Sequence, residues 1–486
     1  MQNAIAKNYI GGIEKEKLFL PFMLSSLALL MAVLMMGKII LILVLFLAFI
    51  IFLATRPEIG VYLTAFFLPL TYLIFHYKGI EINFIDLIAG LTFLAFILSK
   101  LYKRVFRGEK IKIEFPALAP FLIFFGLAIL SSYLSANPLK SLSYSVRVIL
   151  NFYLLYLVLS VNVINTKTRL KKAVLAFIIS ALALSFISSW SFLKNYSESE
   201  LSRVRVLNFS DQSALTGYVS RNYADFALLE PYLTEQNLLV ETLLPAIFIL
   251  LAIKYFYSDE RKKRLINLVI IFVSAVLIGA FSRGAWISLT LTFIIYFLFI
   301  SRADFKKKVA ASLPILIIIF YPLAVQMYKL QTNYNIGVSS TKSRVMSARI
   351  GLDIYKNNPV IGVGPGEYIN ELGKNEQYRE KFGDPVDALG ILQKLSTELG
   401  TLGLASFFIF VLALIKPILK ALNSFRRENY EKFFLAAVLA LGWFAIFIFE
   451  FFNTSYYAGK LWFPLALVLI AIKLISDKYE YGEQKN

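Results

Sequence analysis

The 486-residue chain has no cysteine and a single histidine, His76. Without thiols there is no disulfide, no thiol nucleophile and no thiolate metal site. One imidazole alone argues against a dedicated zinc or iron centre. No metal and no cofactor is expected. Charge is scarce as well. Only 17% of the residues are charged, where a soluble domain has about a quarter. A soluble enzyme is therefore excluded. The net charge of +19 raises nucleic acid as a partner, but the excess sits in short clusters between apolar runs, where membrane topology and anionic headgroups account for it better.

What the chain has instead is apolar length. Hydrophobic residues make up 58% of it. A helix needs about 20 apolar residues to cross hydrocarbon. On that scale the spans read 18–36, 39–55, 59–76, 82–99, 116–134, 146–164, 173–193, 238–257, 265–282, 284–300, 309–328, 397–415, 433–452 and 459–475. The fold class is all-α, a polytopic bundle of about 12–14 spans with a large, partly helical external loop. The first run is long and lacks a small-residue cleavage pattern, so the chain is expected to stay anchored.

Five Lys/Arg clusters fall at alternate gaps: 100–112, 167–172, 261–264, 302–308 and 416–432. Short basic loops stay in the cytoplasm, which places both termini inside and two long loops, 194–237 and 329–396, outside. Four regions follow: N-terminal helices 1–145, a transmembrane core 146–328, an external loop 329–396 and C-terminal helices 397–486.

The external edge holds the unusual charges. Arg283 stands in Ala280-Phe281-Ser282-Arg283-Gly284-Ala285, the turn between two spans. An interfacial arginine can simply snorkel, but charges at the membrane edge tend to mark a site. Arg147 opens the span 146–164 at the same level. Arg344 and Arg349 diverge by about 140° on one helix. Arg349 is favoured because it is embedded in the apolar pattern of 345, 348, 352 and 355, read as a short surface helix over 343–355. The turn Asn358-Pro359-Val360-Ile361-Gly362-Val363-Gly364-Pro365-Gly366 follows, and its glycines permit close backbone approach. Gly362, Gly364 and Gly366 either offer amides to an anion or form an ordinary turn. A second helix is read over 385–398, broken by Gly400 and Gly403. On it Asp387 and Glu398 point about 20° apart, as a site pair or as an exposed acidic face. Asp86 lies inside a span, facing Lys78, an arginine or a site. His76, at the outer end of 59–76, reads as structural, with a base role in reserve. Several arginines without metal ligands suit a diphosphate, because a guanidinium offers a planar fork of donors.

Phe281-Ser282-Arg283-Gly284-Ala285, Arg349, the Asn358–Gly366 turn, and Leu392-Gln393 through Glu398-Leu399-Gly400-Thr401-Leu402-Gly403, in that order, resemble the O-antigen ligase and O-antigen polymerase superfamily. The resemblance covers about 230–415 well and 140–237 loosely. It implies a membrane glycosyltransferase of the GT-C type, metal-independent and inverting. Such an enzyme moves a glycan from an undecaprenyl-diphosphate carrier to a glycan or lipid-anchored glycan acceptor, outside the cytoplasmic membrane. By position Arg283 stabilises the leaving diphosphate. Arg349, Arg147 and Arg205 are further candidates.

One departure matters. The family's His-Asn pair precedes the Glu-Leu-Gly motif, and here Leu389 stands where the histidine would be. Four readings stay open. Asp387 or Glu398 takes the acceptor's proton, His76 reaches in, leaving-group stabilisation suffices without a strong base, or activity is lost. Asp387 ranks ahead of His76. The expected function is a surface-polysaccharide polymerase or ligase. The alternatives are a lipid-linked oligosaccharide flippase and a catalytically impaired subunit of envelope assembly.

Overall fold

A computed structural model describes residues 38–69, 74–77, 80–198, 236–280, 282–300 and 336–476. In lipid every backbone N–H and C=O must be satisfied within its own segment, so uninterrupted apolar runs fold as helices. In chain order these are α1 (Lys38–Thr55), α2 (Pro57–Phe67), α3 (Phe84–Arg107), α4 (Leu118–Tyr133), α5 (Pro138–Val163) and α6 (Lys167–Glu198). After residues 199–235, which are not described, come α7 (Gln236–Tyr255), α8 (Glu260–Gly279) and α9 (Arg283–Ile300). The C-terminal part contributes α10 (Ile336–Asn357), α11 (Tyr368–Gly373), α12 (Glu376–Phe382), α13 (Ile391–Glu428), α14 (Tyr430–Phe449) and α15 (Gly459–Ser476).

The protein is an all-α, multi-pass membrane protein. Among the described residues seven helices are long and apolar enough to cross a bilayer, or eight if α1 and α2 count as one bent span. The bend is 106°. Its cause is Pro57, which has no amide to donate and drives Arg56 out of helical geometry, to φ −137°. The expected spans 18–36 and 309–328 lie outside the described residues.

Two expectations need correction. The run 59–76 does not continue as a helix, because α2 ends at Phe67. A small antiparallel hairpin follows, β1 (Ile74–Tyr77) and β2 (Ile80–Asn83), with His76 opposite Glu81. β1 is β-branched or aromatic throughout, β2 alternates isoleucine with polar residues, and the two are separated by two residues, one of them glycine, which is a hairpin signature. The second correction concerns the helix read over 385–398, which starts only at Ile391.

α7 packs along α14, α13 along α4, α2 along α6, and α15 against α5. α15 is largely enclosed: Trp462, Phe463 and Leu465 are buried, and Trp462 stacks on Phe152 at 4.4 Å. α5 contains two π-helical stretches, Ser145–Leu150 and Phe152–Val158. Such widened turns often accompany functional sites, and Arg147 lies in the first.

The helix ends sort into two rims. At one, Asn162 at the end of α5 bonds the backbone of Glu114 before α4, and Lys473 near the end of α15 pairs with Glu114. Arg169 at the start of α6 pairs there with Glu58 of α2. Tyr430 at the start of α14 donates to Ile300 at the end of α9. The described basic clusters belong to this rim. The opposite rim gathers the start of α3, the end of α4, the starts of α5, α7, α9, α13 and α15, and the end of α14. Above it sit α10, α11 and α12, with a small core of their own made of Tyr368, Leu372, Tyr378 and Ala388 against Met346, Ile350 and Phe382.

Candidate functional site

α13 is interrupted at Gly400, where φ is 64° and ψ −166°. A helix broken there exposes carbonyls and amides that need partners. The Asn358–Gly366 turn supplies them. Val363 and Gly364 donate to the Thr397 and Glu398 carbonyls at 3.0 and 2.9 Å, while Thr401 and Leu402 donate to Pro359 and Val360 at 2.8 and 3.2 Å. The approach needs glycine on both sides. A Cβ on Gly362 would lie 2.4 Å from the Glu398 carbonyl carbon, and one on Gly400 2.4 Å from that of Val360. From α4, Ser131 Oγ lies 2.8 Å from the Ile361 carbonyl and 2.9 Å from that of Glu398.

The first turns of α13 then bury charge. Lys394 Nζ is 2.6 and 2.8 Å from the two Asp387 oxygens and 3.1 Å from Glu398 Oε1. An ammonium has three donors, and all three are directed at carboxylates. Its charge also lies 5.4 Å from the ring centre of Tyr144 and 5.9 Å from that of Tyr457, a favourable cation–π geometry. Burial pushes the Tyr457 hydroxyl pKa up, so the ring stays neutral beside this cluster. Lys394 and Glu398 are each 1% exposed, Asp387 29%. Asp387 is therefore the member of the cluster that an incoming molecule can reach. Glu398 also accepts from the amides of Tyr368, at 3.4 Å, and Gly366.

Tyr368 ties this floor to the cap. Its hydroxyl lies 2.7 Å from Ser347 Oγ on α10 and accepts from Gln393 Nε2 on α13 at 2.6 Å. Burial pushes its pKa up to about 12. Glu367 beside it is buried, and its Oε2 accepts from Asn137 and Asn370 at 3.0 and 2.8 Å.

The loop between α14 and α15 joins these parts. Ile391 donates to the Glu450 carbonyl at 2.8 Å, and Thr454 Oγ1 donates to the Ala388 carbonyl. Below the loop, Glu241 of α7 and Glu450 are both fully buried and meet at Ser455 Oγ, which contacts a carboxylate oxygen of each. A serine has one proton to give, so the two carboxylates share it. Lys460, also buried, acts on Glu450 electrostatically.

The expected arginines are placed differently from one another. Arg283 opens α9 and is exposed. The next residue, Gly284, sits against Phe452, whose Cβ would be 2.7 Å from an added Cβ. Arg344 donates to the Phe452 carbonyl at 3.3 Å. Phe452 thus brings the neighbourhoods of Arg283 and Arg344 together. Arg349 lies on the exposed face of α10 with Val345 and Leu352, while Ser347 and Gly351 face inward. The stripe at 345, 348 and 352 therefore faces away from the protein. Arg147 is exposed on α5 and acts electrostatically on Asp86, which accepts from Tyr156. The turn glycines spend their amides within the protein: Gly362 donates to Asn358, Gly364 to Glu398 and Gly366 to the Glu398 carboxylate. Arg205 lies outside the described residues, as does the His76 side chain.

Residues 268–408 match the protein family described as O-Antigen ligase. Over this segment the chain is similar to the O-antigen ligase superfamily. The match runs from within α8 to the part of α13 just past the kink, and it supports an enzyme of the O-antigen ligase or polymerase type in general. No curated protein matches the chain.

The matching segment thus contains Arg283, Arg344, the glycine turn and the Asp387–Lys394–Glu398 cluster. Tyr144, Glu241, Glu450 and Tyr457 lie beyond it and complete the surroundings. Sequence reasoning missed Lys394, although a signal was present: a lysine and a glutamate four residues apart, facing the same side of a helix at the start of an apolar run. Glu367 was hidden in a glycine turn. Glu241 and Glu450, far apart in sequence, each look like an isolated charge at a span end.

Proposed function

We propose that this protein is a glycosyltransferase that moves a glycan from an undecaprenyl-diphosphate carrier to a hydroxyl of a second glycan, outside the cytoplasmic membrane. The observation that carries the reading is one of convergence. Separate stretches of the segment that matches the O-antigen ligase family, around Arg283, Arg344 and Asp387, all meet the 450–457 loop at one rim, and the glycine turn joins them there through α13. Among the described residues that rim lacks the basic clusters, and we assign it to the external side.

In this reading the acceptor oxygen attacks the anomeric carbon from the face opposite the diphosphate. The carbon–oxygen bond to the diphosphate breaks, its electron pair leaves with the phosphate, and the configuration inverts. Arg283 and Arg344 lower the barrier by holding the charge that grows on the leaving group. Arg147, Arg205 and Arg349 guide the carrier at headgroup level. Asp387 takes the acceptor proton. Lys394 holds both of its oxygens, so the acceptor hydroxyl must displace part of that grip. Glu398, buried and fixed by two backbone amides, holds Lys394 in place. The glycine turn shapes the floor instead of binding phosphate. No metal enters this scheme.

Reconstitution with undecaprenyl-diphosphate-linked glycan tests the proposal. Longer lipid-linked chains identify a polymerase, and transfer to another anchor a ligase. Movement across the bilayer without a new bond would replace the enzyme by a flippase, and neither bond formation nor movement would leave an assembly subunit.

A further inference from the structure

At the rim that carries the basic clusters, the bend between α1 and α2 opens onto a cavity of about 280 Å³. Its lining includes Arg56 from the bend, Glu58 of α2, and Thr166, Thr168, Arg169 and Lys172 from the opening of α6. Three cations and one anion leave a net positive charge. The anion is already engaged, since Glu58 lies 3.3 Å from Arg169 Nη2. Arg169 is held in place by the Val163 carbonyl and the Asn165 side chain, both at 3.1 Å. Arg56 and Lys172 are exposed at the mouth. Two threonines, Ile59, Tyr62 and the first turn of α6, where a helix favours anions, complete the lining. Immediately before the bend, α1 presents Leu47, Ile51 and Phe52 outward. A cationic, hydroxyl-lined hollow beside an outward apolar face matches a molecule with a phosphate at one end and acyl chains at the other.

We propose that this cavity binds the phosphate headgroup of an anionic phospholipid, with the acyl chains along α1. The site is separate from the glycan-transfer rim and stands whether or not that chemistry is correct. The bound headgroup would bridge Arg56 and Lys172, and so tie the α1–α2 bend to α6.

Native mass spectrometry of the purified full-length protein in detergent tests this, with phosphatidylglycerol, phosphatidylcholine and glycerol 1-phosphate as probes. Arg56→Ala/Lys172→Ala removes the two exposed cations. Lys420→Ala/Arg427→Ala removes the same charge elsewhere on this rim. The expected result is retention of phosphatidylglycerol over phosphatidylcholine by the wild type and the control. The Arg56/Lys172 variant should lose at least about tenfold in affinity while its thermal melt shows that it still folds. Equal loss in both variants would reduce the effect to the general field of the rim and overturn the site. Glycerol 1-phosphate binding as tightly as the lipid would overturn the phospholipid as occupant.

Discussion

Lys394 is the residue on which the site's charge balance depends. It is enclosed with two carboxylates and two aromatic rings. Replacing it with a neutral residue leaves two acids close together without a counter-charge, and breaking a buried pair in this way costs about 3–5 kcal/mol. Lys394→Met is expected to lower the thermal melting point sharply, or to abolish accumulation of folded protein, whether or not substrate is present. The arginines behave differently, because they act on the ligand. Arg283→Lys keeps charge and fold but loses the two-pronged grip on phosphate oxygens. Its glycan-transfer rate should fall by at least about tenfold, with an unchanged melt. Asp387→Asn should be severe for turnover and His76→Ala mild, and the reverse ranking would give the base role to His76. At this scale Asp387 and Glu398 could be found from sequence as two acids flanking a helix start. Their partner could not, because a lysine beside an apolar run usually means a membrane-edge anchor. Arg344 was passed over for Arg349 because apolar neighbours were taken as the sign of the inward face. In a membrane protein an apolar stripe can equally face outward, as Val345 and Leu352 do.

At the scale of elements, the kink in α13 and the 358–366 turn are a single device. Gly400→Ala would place a methyl 2.4 Å from the Val360 carbonyl carbon, in a backbone region at φ 64° that side chains avoid. A loss of at least about 2 kcal/mol is expected, combining clash with backbone strain. Gly90→Ala, in α3 with nothing within 4 Å of the added methyl, should be neutral, or stabilising by up to about 1 kcal/mol. Thermal melts of the two variants side by side check this contrast. The sequence marked Gly400 and Gly403 equally as breaks, yet only Gly400 leaves helical geometry. The difference comes from the partner: the turn meets the carbonyls of 397 and 398, just before Gly400, and those contacts are long-range. The same holds for the late start of α13. Gly390 is extended and Ala388 stays outside the helix, where Thr454 holds the Ala388 carbonyl and Glu450 the Ile391 amide, and local pattern does not contain that information.

At the scale of the whole molecule, the charge clusters and span lengths made legible how the described helix ends sort into two rims. Charge clusters and span lengths report on the bilayer, an environment common to every segment, whereas the site depends on which ends meet. Since the native chain has no cysteine, its orientation can be tested without background. Asp384→Cys, exposed below the cap, should react with a membrane-impermeant maleimide added to intact spheroplasts. Glu109→Cys, exposed after α3, should react only after the membrane is opened. The opposite result would invert the molecule and remove the external assignment of the site.

The four backbone bonds that join the glycine turn to α13 limit how a long isoprenoid chain could be admitted. The turn cannot lift away as a free flap without stranding buried carbonyls in an oily setting. Any gate at this place must swing as one stiff arm, carrying the opening turns of α13 and the Lys394 ion pairs along with it. Admission of the carrier and adjustment of the groups that meet the incoming sugar would then be the same mechanical event.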